Sequence, residues 1–215
     1  AEVARRLAHE VKNPLTPIRL SAERMAMKLT PALNEKDRAI LEKTTRTIIT
    51  QVEALRDMVN AFGDYAQAAR IERQNQDLLK IIHSVAALYD ASSEITLELD
   101  LPEESVMLAG DQVKLRQTFV NLIKNAQEAG ADQMMIECKR LSQEKLVTIC
   151  FKYNGPGFPD DLLERIFDPY VSGKPKGDGL GLAIVRRIVE EHGGSIAARN
   201  HALGGQIDIH LPASA

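Results

Sequence analysis

Apolar residues recur at steps of three and four along the first third of the chain. One run covers residues 7–29 and a second covers residues 41–66, and the polar turn between them, residues 30–37, contains Pro31 and Asn34. Such steps mark one face of an α-helix, so the pattern predicts two long amphipathic helices joined as an antiparallel hairpin. One hairpin cannot cover its own apolar face, and we therefore expect two copies to pair into a dimeric four-helix bundle.

After a polar joint at residues 69–77, the pattern alternates between strand-like and helical segments. This alternation predicts an α+β two-layer sandwich in which helices cover one face of a sheet. We expect two domains, residues 1–70 and residues 71–215. The predicted helices of the second domain cover residues 78–89, 111–129 and 180–192, and its predicted strands cover residues 95–99, 106–109, 134–139, 146–151, 195–198 and 206–211.

The formal net charge of −3 over 215 residues gives no reason to expect nucleic acid as a partner. Cys138 and Cys150 fit neither a metal motif nor a disulfide framework, so we expect two buried thiols in a reducing compartment. No apolar run approaches the roughly 20 residues that cross a bilayer. Because the chain starts inside a helical pattern without Met, we expect a cytoplasmic piece of a longer protein, attached to the inner membrane only through segments outside this chain.

The first helix carries candidate chemistry in the segment HEVKNPLTP. His9 lies about 200° around the helix from Leu7 and Val11, so it points away from the apolar face. Glu10 adjoins it, and Asn13 lies one turn further along on the same side. A lone surface histidine is usually only a solvated side chain. If the hairpin were only a coiled-coil tether, its outer face would need no reactive group. An acid, an amide and two prolines at helical spacing instead favour a reactive histidine.

Four segments of the second domain together predict a nucleotide pocket. Asn121 and Asn125 are four residues apart on a helix whose apolar face includes Val113, so both amides emerge on one side and could hold Mg²⁺ beside substrate phosphates. The glycine-rich segment GDGLGLAIV runs directly into a helix, whose N–H groups and dipole favour phosphate. Each feature alone is weak evidence. The motifs NxxxN, GPG, FDPY and GxGLGL, in this order, indicate one nucleotide site.

These motifs resemble those of sensor histidine kinases, the ATP-dependent kinases of two-component signal transduction. HEVKNPLTP is similar to their H box, NLIKNAQEA to the N box, NGPGFP to the first glycine box, IFDPYVSGK to the F box and GDGLGLAIV to the second glycine box. The longer run LAHEVKNPLTPIRLSAER is similar to the NtrY branch, membrane sensors tied to nitrogen or redox signalling. The resemblance implies a HisKA phosphotransfer hairpin followed by a Bergerat-type (GHKL) HATPase_c domain.

The resemblance also implies a reaction and a role for each matched residue. ATP would donate its γ-phosphoryl group to His9, and the group would pass to an aspartate of a response-regulator receiver domain. Glu10 would take a proton or hold the reactive tautomer, Asn13 would position water for a phosphatase reaction, and Asn125 with Asn121 would hold Mg²⁺. The implied ATP-binding residues are Asn121, Asn125, Tyr153, Gly155, Gly157, Phe167, Tyr170, Lys174, Gly177, Gly179, Leu180 and Gly181, with a short lid over residues 172–178.

Two residues depart from the family pattern. Tyr153 opens the first glycine loop where the family carries an aspartate that accepts a hydrogen bond from adenine, and loss of such a contact corresponds to about 10- to 150-fold in affinity. Asp178 stands where a small residue is usual, and its charge would repel phosphate. Two hypotheses therefore remain. The chain is a working histidine kinase with phosphatase activity, or it is a nucleotide-blind dimer that docks a response regulator and acts at most as a phosphatase.

Overall fold

The chain divides into two compact units, Ala1–Gln67 and Ala68–Ala215. The computed structural model describes residues 2–67, 71–89, 94–141, 145–173 and 179–214, and it places the side chains of these residues except for 2–9, 57, 61 and 64–67. The first unit is helical and the second combines helices with a sheet, as the sequence predicts.

The first unit is a helical hairpin. Helix α1 covers Glu2–Leu29, a 3₁₀ turn covers Thr30–Ala32, and helix α2 covers Glu35–Gln67. Asn34 fixes the start of α2, because its side-chain oxygen accepts a hydrogen bond from the N–H of Asp37 at 3.0 Å. Helix α1 continues through Pro14 and Pro17. Among the described helices of the whole chain, none combines the length and apolarity that a membrane crossing requires.

A small set of side chains forms the contact within the hairpin. Leu15 and Ala22 are buried on α1, and Thr45 and Val52 are buried on α2. Each pair is spaced by seven residues, so each helix presents the same face on successive double turns. The hydroxyl of Thr45 is satisfied locally, since it donates to the carbonyl of Leu41 at 2.8 Å. Among the described side chains of the hairpin, these four are the most completely buried.

Part of the predicted apolar face of the hairpin stays open. Ile18, Met25 and Leu55 are between 40% and 47% exposed. An open groove of about 340 Å³ lies among these side chains, lined by Pro17, Ile18, Ser21, Ala22, Met25 and Ile48. Contiguous apolar surface of this kind marks a binding surface on a soluble protein.

In its described residues, the second unit combines a five-stranded sheet with three α-helices. Its described strands are β1 Gln74–Asp77, β2 Thr96–Asp100, β3 Met107–Gly110, β4 Gln133–Leu141, β5 Leu146–Asn154, β6 Ser195–His201 and β7 Gly204–Pro212, and its described helices are α3 Leu78–Tyr89, α4 Gln112–Glu128 and α5 Gly181–Glu191. The main sheet has the order β2–β4–β5–β7–β6, in which β2 runs parallel to β4 and the other pairs are antiparallel. Strands β1 and β3 form a separate antiparallel pair.

Strand β5 supplies the centre of the core. Val147, Ile149, Phe151 and Tyr153 alternate along it and are all buried. Phe119 of α4 packs on this face, with its ring centroid 5.6 Å from that of Phe151. The helices and the sheet thus share one apolar layer, which confirms the predicted sandwich.

Strand β5 is longer than predicted. The apolar pattern ended at residue 151, but pairing with β7 continues through Tyr153 opposite Gly205 and Asn154 opposite Gly204. The main-chain ladder therefore extends the strand past its last regular apolar position. As a consequence, Tyr153 lies within a strand rather than opening the loop that follows.

The apolar face of α4 differs from the predicted one at Val113. This side chain is 73% exposed, while Leu115, Phe119 and Ile123 are buried. Val113 lies in the first turn of the helix, where its N–H donates to the capping carboxylate of Asp111 at 3.0 Å. The prediction that Val113 lies on the apolar face was wrong, because residues two positions apart on an α-helix are about 200° apart and Val113 therefore points away from the side that buries Leu115.

Strand β1 falls where the sequence predicted only a polar joint. Its four residues are QNQD and show no apolar alternation. The strand forms through main-chain pairing with β3, from Gln74 opposite Gly110 to Asp77 opposite Met107. Pairing of this kind depends on a partner strand that local sequence does not reveal.

His192 joins the end of α5 to the start of α4. Its Nε2 accepts a hydrogen bond from the N–H of Asp111 at 3.0 Å, and its Nδ1 donates to the carbonyl of Ile188 at 2.7 Å. Burial lowers the pKa of His192, although the bond to Ile188 opposes that shift. Burial alone would raise the pKa of Asp111, but bonds from main-chain N–H groups, including that of Glu72, and the charge of Lys114 lower it.

Both cysteines are buried and unbridged, as predicted. Burial raises the pKa of Cys138 to about 12. Burial also raises the pKa of Cys150 to about 12, and a hydrogen bond to the carboxylate of Asp208 adds to the effect. Neither thiol is poised to react at neutral pH.

Candidate functional site

The predicted phosphorylation site lies on helix α1. His9 belongs to this helix, but its side chain lies outside the described residues. The side chains of Glu10 and Asn13 are exposed, whereas Leu15, two residues further on, is buried in the hairpin. Glu10 and Asn13 therefore occupy the outer side of α1, and the direction of the His9 ring stays a prediction.

The C-terminal cap of α4 at Ala129 and the connection that follows it lie against the first glycine loop. Asn121 and Asn125 are half-buried on this helix. A Cβ placed on Gly155 would lie 3.8 Å from the carbonyl oxygen of Ala129 and 3.9 Å from the nitrogen of Ala131. Gly155 also has a φ of +117°, which disfavours residues with a side chain. The helix that carries both asparagines and the glycine loop are thus direct neighbours.

Asn154 anchors the start of the glycine loop. Its Oδ1 accepts hydrogen bonds from the N–H groups of Asp132 and Gln133, each at 3.1 Å, and its Nδ2 donates to Oδ1 of Asp132 at 2.6 Å. The N–H of Gly155 donates to the carbonyl of Leu203 at 3.0 Å. The loop is therefore tied on one side to the α4–β4 connection and on the other side to the β6–β7 hairpin.

Asn200, near the end of β6, holds the other end of the same loop. Its Oδ1 accepts from the N–H of Phe158 at 2.8 Å, and its Nδ2 donates to the carbonyl of Phe158 at 2.8 Å and to Oδ1 of Asp160 at 3.4 Å. Sequence reasoning assigned no role to Asn154 or Asn200. No local pattern marks Asn200, because its partner Phe158 is 42 residues away.

A main-chain hydrogen bond joins the two segments that flank the predicted lid. The N–H of Tyr170 donates to the carbonyl of Gly179 at 3.0 Å. Gly179 has a φ of +65°, and a Cβ added there would lie 2.6 Å from the carbonyl carbon of Tyr170, so glycine is required. Tyr170 also has a positive φ of 65° and its side chain is 65% exposed, so it meets Gly179 through its backbone. Phe167 is instead buried in the core.

Further contacts place the lid ends beside the glycine loop and α5. A Cβ on Gly173 would lie 2.9 Å from Cγ of Pro159, at the end of the glycine loop. Arg186 of α5 approaches Asp168 with 3.7 Å between Nη1 and Oδ1. The segments around FDPY and GPG and helix α5 are therefore neighbours.

Helix α5 begins directly after the lid. Gly181 is its first residue, and no side-chain hydrogen bond caps it at Leu180, which is buried. The first turn of a helix attracts anions through its N–H groups and its dipole. Lys174, Gly177 and Asp178, the other predicted members of this segment, lie outside the described residues.

Tyr153 is a core residue beside the glycine loop. It is 2% exposed, and its ring meets that of Phe158 edge-on with centroids 5.9 Å apart. A Cβ added to Gly205 would collide with the Oη and Cζ atoms of Tyr153 and come within 3.0 Å of Cε1. Burial raises the pKa of the phenol. The ring therefore fills the space above Gly205 on β7.

Two family models match the chain. The His Kinase A (phospho-acceptor) domain matches residues 1–70, and the family of histidine kinase-, DNA gyrase B- and HSP90-like ATPases matches residues 110–215. The chain belongs to the sensor histidine kinases. The family resemblance of its motifs is thereby confirmed.

This histidine kinase is 37% identical to the nitrogen regulation protein NtrY of Azorhizobium caulinodans, over 91% of this chain and 26% of NtrY. It is 32% identical to the sensory histidine kinase/phosphatase NtrB of Rhizobium meliloti, over 99% of this chain and 58% of NtrB. The chain thus spans about a quarter and somewhat over half of these two relatives. The solved complex of histidine kinase ThkA with response regulator protein TrrA matches with a TM-score of 0.69 and 26% identity, over 100% of this chain and 62% of that chain.

Proposed function

We propose that this chain is the ATP-dependent kinase core of an NtrY-type two-component sensor. The observation that carries the proposal is a series of contacts in the second unit. They run from α4 to Gly155, from the glycine loop to Gly173, and from Tyr170 to Gly179. These contacts bring four motifs that are far apart in the sequence close to one another. A nucleotide site requires such an arrangement, whereas four unrelated turns would not require it.

In this proposal a ring nitrogen of His9 attacks the γ-phosphorus of ATP. The N–P bond forms while the bond from the γ-phosphorus to the bridging oxygen breaks, and ADP leaves with that electron pair. Glu10 takes the proton that the imidazole loses or holds the reactive tautomer. The phosphoryl group then moves from the histidine nitrogen to a carboxylate oxygen of a response regulator. In the phosphatase reaction, Asn13, exposed on the same helix, positions a water that attacks the phosphorylated aspartate of the regulator, and inorganic phosphate leaves as the carboxylate is restored.

The amides of α4 suit a magnesium ion bound with the nucleotide. Amide oxygens are among the hard ligands that Mg²⁺ accepts, and it would neutralise charge on the phosphates. Asn125, assisted by Asn121, would hold the ion. Related ATPases of this fold carry a glutamate that activates water where Asn121 stands, and an amide cannot act as a base. This difference favours transfer to histidine over hydrolysis. Lys174 and Gly177 would face the phosphates.

The burial of Tyr153 favours a second candidate function. A tyrosine at the position of the family's adenine-binding aspartate removes a charged acceptor from the base pocket. The chain would then be a nucleotide-blind dimer that docks a response regulator and acts through Asn13 as a phosphatase. Because the ring packs above Gly205 and against Phe158, it takes up space that an aspartate would leave open.

Calorimetric titration with Mg-ATP, followed by labelling with γ-labelled ATP, separates the two functions. For the kinase we expect binding and incorporation of label, and we expect His9→Gln to bind Mg-ATP normally and take up no label. Tyr153→Phe keeps the ring and should behave like the parent chain. If the parent chain and Tyr153→Phe do not bind Mg-ATP while a folded Tyr153→Asp variant does, the proposed kinase function is wrong for this chain.

The open face of the hairpin supports pairing of two copies. Ile18 and Met25 line an uncovered apolar groove, and a second hairpin would bury it in a four-helix bundle. The complex of ThkA with TrrA supports a response-regulator receiver domain as the other partner. The similarity to a nitrogen regulation protein, NtrY, supports a role in nitrogen signalling. We further propose that the full-length protein is anchored in a membrane through segments other than those described above. Sedimentation velocity should show a dimer.

A further inference from the structure

Asn200 lies outside all of the motifs that predict the nucleotide site, yet it bonds to the backbone of the first glycine loop. We propose that Asn200 is a positioning residue that holds this loop in its nucleotide-binding conformation. The inference rests on the proposed ATP-binding function. The β6–β7 hairpin would thereby position the glycine loop for nucleotide binding, a role that none of the motif residues performs.

The contact of Asn200 is a two-point clamp on a single residue. One amide accepts from the N–H of Phe158 and donates to its carbonyl, both at 2.8 Å. Two antiparallel bonds to one residue fix the orientation of the adjoining peptides as well as their distance, as in a strand pair. A third contact, from Nδ2 to Oδ1 of Asp160 at 3.4 Å, keeps the amide in the orientation that serves Phe158.

The clamp and the glycine loop depend on each other sterically. Gly157 has a φ of +70°, and a Cβ placed there would lie 2.6 Å from Oδ1 of Asn200. Gly157 is therefore required both for its backbone conformation and to let the amide of Asn200 approach Phe158. A glycine needed for the approach of a specific side chain indicates that the contact is a constraint of the site rather than an incidental surface bond.

The β6–β7 hairpin holds both ends of the loop. Asn200 bonds to Phe158 at one end, and the carbonyl of Leu203 accepts from the N–H of Gly155 at the other. Between these anchors lie Pro156 and Gly157, and the glycine has no side chain that could fix its backbone. Loss of the clamp should therefore release the loop locally without unfolding the sheet, and a bound nucleotide would then have to order it.

The consequence is an effect on nucleotide affinity rather than on the chemical step. Two neutral hydrogen bonds contribute enough that their loss should weaken Mg-ATP binding about tenfold. The labelling rate of His9 at saturating ATP should stay within about twofold, because positioning of the loop acts in both the ground state and the transition state. Asn200→Asp keeps an acceptor for Phe158 but turns a carboxylate oxygen towards the carbonyl of Phe158 and the carboxylate of Asp160, so it should weaken binding at least as much as Asn200→Ala does.

Two measurements on the whole chain test the inference. Amide hydrogen exchange reports the clamp directly, since the exchanging N–H of Phe158 is the donor to Asn200. Calorimetric titration with Mg-ATP reports its effect on binding. Asn75→Ala is the matched control, because Asn75 is an exposed strand asparagine with no side-chain hydrogen bond among the described residues. We expect Asn200→Ala, and not Asn75→Ala, to speed exchange at Phe158 and weaken binding, while the amides of β5 stay protected.

A double substitution tests the coupling to Gly157. Gly157→Ala should displace the amide of Asn200 and also strain the backbone at a φ of +70°, so adding it to Asn200→Ala should still weaken binding, but by less than it does in the parent chain. Unchanged exchange at Phe158 in Asn200→Ala would overturn the clamp. Faster exchange with unchanged affinity would overturn its role in positioning. A parent chain that binds no Mg-ATP would instead refute the proposed kinase function, and with it a nucleotide role for Asn200.

Discussion

Replacing Gly205 with alanine should destabilise the second unit only while residue 153 is tyrosine. Gly205 lies opposite Tyr153 in the β5–β7 ladder, and the new Cβ would collide with the Oη and Cζ atoms of the ring. The ring cannot move into solvent easily, because it is 2% exposed and packs edge-on against Phe158. Overpacking of this kind costs roughly 1–3 kcal/mol of unfolding free energy.

With leucine at position 153 the same alanine should have the opposite effect. Gly205 has no positive φ, so alanine adopts its backbone conformation without strain. Replacing a glycine inside a strand then stabilises by roughly 0.5–1 kcal/mol, because less chain entropy is lost on folding. The difference between the two backgrounds gives a coupling energy of roughly 1.5–4 kcal/mol, at or above the upper part of the range for residues in contact.

Scanning calorimetry on four chains measures this coupling. The set is the parent chain, Gly205→Ala, Tyr153→Leu and the double variant, and calorimetry resolves the transition of the second unit if the two units unfold separately. Gly181→Ala is the matched control, since a Cβ there meets nothing within 4 Å. If Gly205→Ala has the same effect with tyrosine and with leucine at position 153, the ring does not lie over β7 and the reasoning is wrong.

Three further predictions concern other parts of the chain. Burial lowers the pKa of His192, so below the ordinary pKa of about 6.5 the unfolded chain binds a proton that the folded chain does not. The free energy of unfolding should therefore fall as the pH drops below that value. In a calorimetric pH profile, His192→Gln should flatten this part of the curve, whereas His83→Gln, at an exposed position, should not. Cys138 and Cys150, with pKa values raised to about 12, should resist a thiol reagent at about pH 8 until denaturant is added; rapid labelling of the folded chain would contradict their burial. Ile18→Glu places a charge in the open groove of the hairpin and should convert dimers to monomers in sedimentation velocity; an unchanged dimer would exclude this face from the interface.

Periodicity predicted the elements that bury a regular apolar face. Both hairpin helices, the three helices of the second unit and the strands of the main sheet follow from steps of three to four or two residues. Strand β1 could not be predicted in this way, since QNQD has no apolar alternation and pairs only through its main chain. The extension of β5 through Tyr153 and Asn154 escaped prediction for the same reason, because β7 supplies the ladder.

For the candidate site too, some residues could be predicted from local sequence and others could not. Residues such as Asn125, Gly155 and Gly179 could be proposed from sequence because their types and spacing have a chemical meaning within one segment. Asn200 and His192 could not, because each acts through a main-chain contact to a distant element, Phe158 in one case and the start of α4 in the other. A motif shows which groups meet the ligand, whereas the side chains that hold those groups in place are determined by the tertiary packing.

Tyr153 shows why the motif to which a residue belongs and its packing in the fold have to be considered together. The sequence identified it as a missing adenine contact, and its position in the fold makes it a core side chain matched to Gly205 and Phe158. Tyr153→Asp would therefore change two properties at once, adding a carboxylate and removing an aromatic ring whose loss from a core costs roughly 3–5 kcal/mol. Failure of that variant to bind Mg-ATP could reflect local collapse rather than the wrong acceptor. Adding Gly205→Ala to Tyr153→Asp refills part of the vacated space, so the double variant should melt at a higher temperature than Tyr153→Asp alone and is the better test of whether an aspartate restores nucleotide binding.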